Sequence, residues 1–228
     1  MLRGTPSAME SVEQTREAVR ADVGAGYPPA PWELYGQAQM HLLSVPAKRL
    51  GALPAGFRPL SIGRQGLVVA GWVSYERGSV LSYGELFAAP VGFVGGRPGA
   101  TVTHMWVDSE ASMRGGRELW GYPKELARFD LRIGPGGSAA AADGRGEIAR
   151  GDFRPSGRRL ALPLNTRAGT FQPLGGHLQP IRAIFRGTLL LGSGTFEPAE
   201  DGPLGHLHGA RRLLSFGLRD FHFTFGIG

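Results

Sequence analysis

Lys124 is one of only two lysines in this chain of 228 residues, the other being Lys48, and arginine supplies the remaining basic side chains. A lysine amine can attack a carbonyl carbon and form a Schiff base, but only while the amine is neutral. At pH 7 only about one ordinary lysine in a few thousand is neutral, because its pKa is about 10.4. Arginine cannot take this role, since a guanidinium stays protonated. A lysine kept in such a chain points to carbonyl chemistry.

The neighbours of Lys124 are of the kind that would disfavour its charge. Trp120, Tyr122 and Leu126 can exclude water from the amine, and burial among apolar groups destabilises an ammonium ion. The residues alone also allow a simpler interpretation, in which Lys124 is a surface residue just past a helix and stabilises the negative end of the helix dipole. Both interpretations stay open at this level.

Other chemically capable residues form weaker patterns. His104 shares a predicted strand face with Trp106, which is typical of a histidine in a core or a pocket wall. His206 and His208 have no third ligand at a spacing useful for zinc. The absence of cysteine excludes disulfides, cysteine-ligated metals and thiol catalysis, and no glycine pattern for a dinucleotide or a phosphate is present. We therefore expect neither a metal nor a cofactor.

Glycine and proline punctuate the chain that must position Lys124. The 37 glycines and 17 prolines stand between apolar runs, a pattern typical of short strands joined by tight turns. With 42% hydrophobic residues, a chain of this length can bury one substantial core. These features predict one domain, or at most two small ones, built mostly of short strands.

Apolar runs of strand length predict the individual elements. Strands are expected at residues 38–45, 67–75, 86–94, 101–108, 129–133, 146–153, 181–191 and 213–225. Two of them, 129–133 and 146–153, are expected to pair across the glycine-rich turn that separates them. In the last strand Phe221, Phe223 and Phe225 share one face.

Helical segments are predicted in three places. A helix of two or three turns is expected at residues 112–120, and a short helical start at 46–50. Ser7 and Glu10 form a capping box, which predicts a helix to about residue 21. Residues 1–26 would then be an N-terminal helix and connector, and residues 27–228 the main domain.

The charge pattern bears on partners and location. The net charge is +6 and the pI is about 10.3, but the arginines are spread along the chain without a nucleic-acid-binding motif, so we expect a solvated basic surface and no nucleic-acid partner. The polar N-terminus lacks the apolar run of a signal peptide, and no apolar stretch has the length of a membrane span. We expect a cytoplasmic protein with no membrane partner.

Two motifs in order resemble a known family. Residues 104–127 contain Gly116-Arg117-Glu118 and, after it, Tyr122-Pro123-Lys124; upstream lies Tyr83-Gly84-Glu85, followed by Ala88-Ala89-Pro90-Val91. This combination resembles the acetoacetate decarboxylase superfamily, in which the lysine after Tyr/Phe-Pro forms the Schiff base and the glutamate of Tyr-x-Glu faces it.

The resemblance extends over residues 32–228 and implies a fold and a site. It implies a single β-rich α+β domain, a barrel or cone of mostly antiparallel sheets with a few short helices. It also implies Lys124 and Glu85 as the catalytic pair and no cofactor. The substrate-binding positions that we assign are Gln37, Tyr83, His104, Trp120 and Tyr122. We also expect a homo-oligomer.

The chain departs from the decarboxylase pattern at two positions. Decarboxylases of this superfamily have a second lysine directly after the nucleophile, where this chain has Glu125, and a carboxylate close to the amine would favour the ammonium form. Glu125 is expected to point outward, because consecutive residues of an extended segment point to opposite faces. Where the superfamily has an arginine that holds the substrate carboxylate, alignment back from Trp32 brings Gln37, which lacks the charge and the bidentate fork. Both changes favour a carbonyl substrate other than acetoacetate.

The sequence thus predicts a cofactor-free Schiff-base lyase that acts on a small keto acid or a related carbonyl compound. The bond broken could be C–CO2, as in decarboxylation, or C–C or C–O, as in aldol and dehydration chemistry. The alternative is a non-catalytic protein on the same fold that binds a small molecule in a degraded site.

Overall fold

The computed structural model describes residues 26–134, 136–156 and 161–227, so the predicted N-terminal helix lies outside the described residues. Within these ranges the chain is mostly β, with one α-helix, α1 (Glu110–Trp120), and short 3-10 helices at Ala47–Arg49 and Gly205–Leu207. The strands are β1 (Trp32–Pro46), β2 (Phe57–Pro59), β3 (Ser61–Ile62), β4 (Gln65–Tyr75), β5 (Tyr83–Val94), β6 (Arg97–Ala100), β7 (His104–Val107), β8 (Lys124–Leu126), β9 (Arg128–Leu131), β10 (Gly137–Asp143), β11 (Gly146–Pro155), β12 (Ala161–Leu174), β13 (His177–Pro198) and β14 (Arg211–Ile227).

The strands form one large, mostly antiparallel sheet whose central part returns on itself. Neighbouring strands follow the order β12-β6-β5-β4-β1-β14-β13-β11-β10-β9, and β12 also pairs with β13. The parallel pairings are β7 with β8 and a single contact between β6 and β12. The ring from β12 through β6, β5, β4, β1 and β14 to β13 encloses an interior. The predicted β-rich fold with mostly antiparallel pairing is confirmed.

Strands β4 and β5 are buried on both faces. Because side chains alternate along a strand, Val73 and Tyr83 face the interior of the ring, while Trp72 and Leu86 face outward into a second core. That second core consists of Leu43, Val45, Leu50, Val68, Ala70, Trp72, Leu86, Ala88, Trp106, Ala139, Ala141, Ile148, Ala149, Leu204 and Leu207. Burial on both faces explains why both strands read as near-continuous apolar runs.

Helix α1 has sequence-encoded ends. Ser109 precedes the first turn, and its hydroxyl accepts a hydrogen bond from the Ser112 amide at 3.2 Å, as an N-cap does. Gly121 ends the helix with φ of 69°, a left-handed conformation that glycine adopts without strain. The helix begins two residues earlier than predicted and ends at the predicted residue.

The prediction for residues 129–153 was wrong in its pairing. The segment taken as a turn contains β10, which pairs with β9 on one side and β11 on the other. The alanine run of β10 has low intrinsic strand propensity, but Ala139 and Ala141 pack in the second core. Small side chains there allow close packing, so tertiary contacts override propensity.

No helix in the described part of the chain has the length and apolar character needed to cross a membrane.

Candidate active site

A cavity of about 380 Å³ lies inside the ring, with Lys124 in its wall. This volume is within the range typical of small-molecule sites. Most of its polar side chains gather around the lysine, and the rest of the wall is largely aliphatic or aromatic. The residues that line it are Trp32, Leu34, Ala38, Met40, Val69, Val73, Tyr75, Tyr83, Glu85, Phe87, Val102, Met105, Trp120, Tyr122, Lys124, Leu164, Thr166, Thr170, Phe185, Leu189, Phe216, Leu218, Phe221, Phe223 and Phe225.

The Lys124 amine is buried and fully partnered. Only 4% of the residue is exposed. Its Nζ atom donates to the Ser112 hydroxyl at 2.9 Å, to Glu85 Oε2 at 3.0 Å and to the Tyr83 hydroxyl at 3.3 Å. It also lies 4.9 Å from the centre of the Tyr83 ring and 5.9 Å from that of Trp32, distances at which aromatic rings attract a cation.

Glu85 is the counter-charge of this lysine. It is as buried as Lys124, at 4% exposure, and its second oxygen, Oε1, accepts from the Tyr75 hydroxyl at 3.1 Å. Burial and then the Glu85 carboxylate raise the pKa of Tyr75 and of Tyr83 well above the usual value. Both phenols therefore stay protonated and serve as neutral hydrogen-bonding groups.

Proton transfer from Lys124 to Glu85 would leave the lysine amine neutral. As ammonium and carboxylate the pair is net neutral, and after one proton moves from Nζ to Oε2 across 3.0 Å it is net neutral again. Burial destabilises the two separated charges, which favours the amine and carboxylic acid, whereas their attraction favours the ion pair. Glu85 can thus take the proton that the amine must lose before it attacks a carbonyl.

Helix α1 is shaped to receive the lysine. Ser112, Gly116 and Trp120 are four residues apart, so they lie on one helix face, and all three are buried. A Cβ atom on Gly116 would come within 2.6 Å of Lys124 Cδ, so only glycine leaves room for the side chain. Arg117 Nε donates to the Lys124 carbonyl at 2.6 Å and fixes the start of β8 against the helix.

Glu125 points away from the cavity, as predicted. Its carboxylate is exposed and pairs with Arg145 at 3.1 Å. Alternation in β8 places Lys124 inside and Glu125 outside. The carboxylate that acts on the amine is therefore Glu85 and not its sequence neighbour.

The aromatic wall follows the predicted face of the last strand. Phe221, Phe223 and Phe225 all line the cavity, while His222 and Thr224 contact Glu33 on the other side of β14.

The predicted residues Trp120 and Tyr122 are buried beside the lysine and also line the cavity. Trp120 packs edge-on against Trp32 at 4.8 Å and against Phe225 at 4.6 Å between ring centres. These rings exclude water from the lysine end of the cavity.

Two of the residues assigned to substrate binding lie outside the cavity, and the assignment is corrected. Side chains alternate along β1, and those that face the cavity, such as Leu34 and Ala38, have even numbers. Gln37 therefore points away from the cavity and donates a hydrogen bond to Glu76 at 3.0 Å near the surface. His104 lies on the opposite face of β7 from Met105 and stacks on Trp106. In both cases the strand alternation places the side chain on the wrong face.

Two polar residues of the site were not predicted, namely Ser112 and Tyr75. Ser112 carried a usable signal, since it lies one helical turn before Gly116 on the face that ends at Trp120. Tyr75 carried none, because its bond to Glu85 depends on the pairing of β4 with β5, in which Tyr75 is opposite Tyr83.

Known proteins resemble this chain in sequence and in fold. The family model for acetoacetate decarboxylase matches residues 40–177. Acetoacetate decarboxylase 1 of Bradyrhizobium diazoefficiens is 56% identical over 44 residues, which are 19% of this chain and 17% of that protein, so the matched stretch spans less than a fifth of the relative's length.

Solved structures extend the likeness to most of the chain. The acetoacetate decarboxylase of Legionella pneumophila superposes with a TM-score of 0.66 at 18% identity, covering 89% of this chain and 87% of that one. The enduracididine biosynthesis enzyme MppR, in complex with pyruvate, gives 0.64 at 19% identity, with coverages of 88% and 90%. At these identities the likeness establishes the fold alone. The family follows from the sequence model, which covers more than half of the chain: this protein belongs to the acetoacetate decarboxylase family.

Proposed function

We propose that this protein is a Schiff-base lyase in which Lys124 is the nucleophile and Glu85 is the proton carrier. The observation that carries the proposal is the buried contact of 3.0 Å between Lys124 Nζ and Glu85 Oε2 in the wall of a cavity large enough for a small molecule. The structures of acetoacetate decarboxylase and of MppR with pyruvate support carbonyl chemistry on this fold.

The reaction begins when the neutral amine of Lys124 attacks the carbonyl carbon of the substrate. The carbinolamine loses water and becomes an iminium ion, with Glu85 passing its proton to the departing hydroxyl. The iminium nitrogen is the electron sink, so the chemistry needs no cofactor. A bond to the α-carbon breaks, its electron pair moves toward nitrogen, and an enamine remains.

Completion of the cycle returns the protons. The enamine takes a proton at its α-carbon, water adds to the resulting iminium carbon, and the carbonyl product leaves as the Lys124 amine is restored. Tyr83 and Ser112, both within 3.3 Å of Nζ, can hold the carbonyl oxygen and the water during these steps. The substrate sets whether the α-bond that breaks is C–CO2 or C–C. In a dehydration an α-C–H bond breaks first and its proton goes to the Glu85 carboxylate; the enamine then expels the hydroxyl of the neighbouring carbon, which takes that proton and leaves as water.

Exchange of α-hydrogens tests the proposal without knowledge of the natural substrate. Enamine formation from butanone in D2O should place deuterium on the carbons beside the carbonyl, and NMR measures the rate. The wild type should exceed the buffer rate, the Lys124→Gln variant should fall to it, and the Lys48→Gln variant, which alters the other, exposed lysine, should match the wild type. A wild-type rate equal to that of buffer would favour a protein that binds carbonyl compounds without turnover.

A further inference from the structure

The cavity is much longer than a three-carbon keto acid requires. On β4 its wall includes Val73, which pairs with Glu85, and Val69, four residues further along. Four residues of a strand span about 13 Å. The wall therefore continues well beyond the lysine.

Beyond the lysine the wall offers almost nothing polar. Apart from Thr166 and Thr170, the described residues that line the part of the cavity away from the cluster of Lys124, Glu85 and its tyrosines are aliphatic or aromatic. Among the described lining residues Lys124 is the only cation, and Glu85 already neutralises it. A substrate carboxylate would be buried there without a counter-charge, which is strongly unfavourable.

The solvent exposure of the lining residues indicates which end of the cavity is closed. The residues around the amine are buried, with Trp32 at 1% and Val73 at 3% exposed. At the other end Val69, Leu189 and Phe216 are half-buried. A ligand that enters from this end meets Lys124 last, at the closed end.

We propose that the substrate is an apolar carbonyl compound. Its carbonyl group lies at Lys124, and its extended hydrocarbon or aromatic body fills the cavity toward Val69 and Phe216. This proposal rests on the Schiff-base function and adds the substrate class to it. Since the class lacks a charged carboxylate, cleavage of a C–C or C–O bond fits it better than loss of CO2.

Reductive trapping along a homologous series tests the class. Methyl ketones from butanone to nonanone, with pyruvate and acetoacetate for comparison, are incubated with the protein and cyanoborohydride, and mass spectrometry gives the concentration for half-maximal adduct. Each added methylene should lower that concentration about threefold to fourfold until the cavity is full, and both keto acids should need higher concentrations than nonanone. Keto acids that trap at lower concentrations, with no gain from chain length, would overturn the substrate class and leave the Schiff-base function standing.

Secondary alcohols separate the two proposals, because they fill the cavity but form no Schiff base. If no carbonyl compound is trapped but alcohol affinity, measured by calorimetry, rises with chain length, the apolar ligand class stands and the Schiff-base function fails. If alcohols do not bind either, the ligand class fails as well.

Variants of the cavity wall far from Lys124 test where the hydrocarbon chain of the ketone binds. Val69→Phe and Leu189→Phe should each lower the preference for nonanone over butanone, because they shorten the cavity. Ile62→Phe, at a residue 67% exposed on β3, should keep the wild-type preference. If both wall variants keep the wild-type preference and the wild-type circular dichroism spectrum, the hydrocarbon chain does not bind at the proposed position.

Discussion

Successive residues of β5 face two buried regions, the cavity and the second core. The two regions differ in how their buried polar atoms are hydrogen-bonded. On the cavity face, Glu85 joins Lys124 and Tyr75 in a closed set of hydrogen bonds. On the face toward the second core, the described residues give no partner to Trp106 Nε1 or to His41 Nε2. Burial alone therefore does not make a reactive group in this molecule. The amine that we propose as the nucleophile lies where buried polar atoms satisfy one another and can exchange a proton.

The largest effect is expected from removing the proton acceptor on the cavity face. Glu85→Gln keeps the shape of the side chain but cannot take a proton from Lys124. The rate of α-hydrogen exchange should fall by about 10²- to 10⁴-fold, the usual contribution of a positioned general base. Glu125→Gln is the matched control, because this exposed glutamate pairs with Arg145 outside the cavity, and its rate should stay within about twofold of the wild type. Equal losses in both variants would refute the assignment of Glu85.

The second effect is on stability. Lys124→Met leaves the Glu85 carboxylate buried without its cation, which should lower the free energy of unfolding by about 3–5 kcal/mol. Adding Glu85→Leu should recover most of that loss, since an apolar pair of similar size replaces the ion pair. Urea denaturation measures both. Additive losses in the double variant would mean that the two residues do not act as a pair.

The smallest effect concerns the second core and depends on pH. Burial, then repulsion from Arg212, lowers the pKa of His41 to about 4 despite the opposing pull of Asp152. Between about pH 6.5 and pH 4, His41 is therefore mostly protonated in the unfolded chain and mostly neutral in the folded chain. Stability from this residue is complete above pH 6.5 and declines as the pH falls, by up to about 3 kcal/mol.

Urea denaturation at several pH values checks this decline. A His41→Phe variant should lose less stability between pH 6.5 and pH 4 than the wild type does, whereas His177→Gln, at the exposed first residue of β13, should follow the wild-type profile. A His41→Phe profile parallel to that of the wild type would show that His41 is charged or hydrated in the folded state.

The sequence predicted the parts of this molecule that depend on local pattern. The helix before Lys124, the runs of β4 and β5, the aromatic face of β14 and the outward Glu125 all follow from periodicity or alternation. The expectation that Glu85 faces Lys124 came from the resemblance, since nothing local connects residues 85 and 124.

The remainder depends on long-range pairing. Strand β12 carries two prolines and several polar residues, and it is a strand because it pairs along β13 from Ala161 to Leu174. Gln37 and His104 were misassigned because a one-residue error in strand phase moves a side chain to the opposite face. Tyr75 reaches Glu85 only through the register of β4 with β5.

The amine at the closed end of the cavity is the nucleophile that we propose, and reductive trapping can identify it. The protein is incubated with a methyl ketone and borohydride, digested, and its peptides are weighed. One ligand mass is expected on the peptide that contains Lys124, and none in a folded Lys124→Arg variant. Labelling confined to Lys48 or the N-terminal amine, or no labelling by any carbonyl compound, would contradict it.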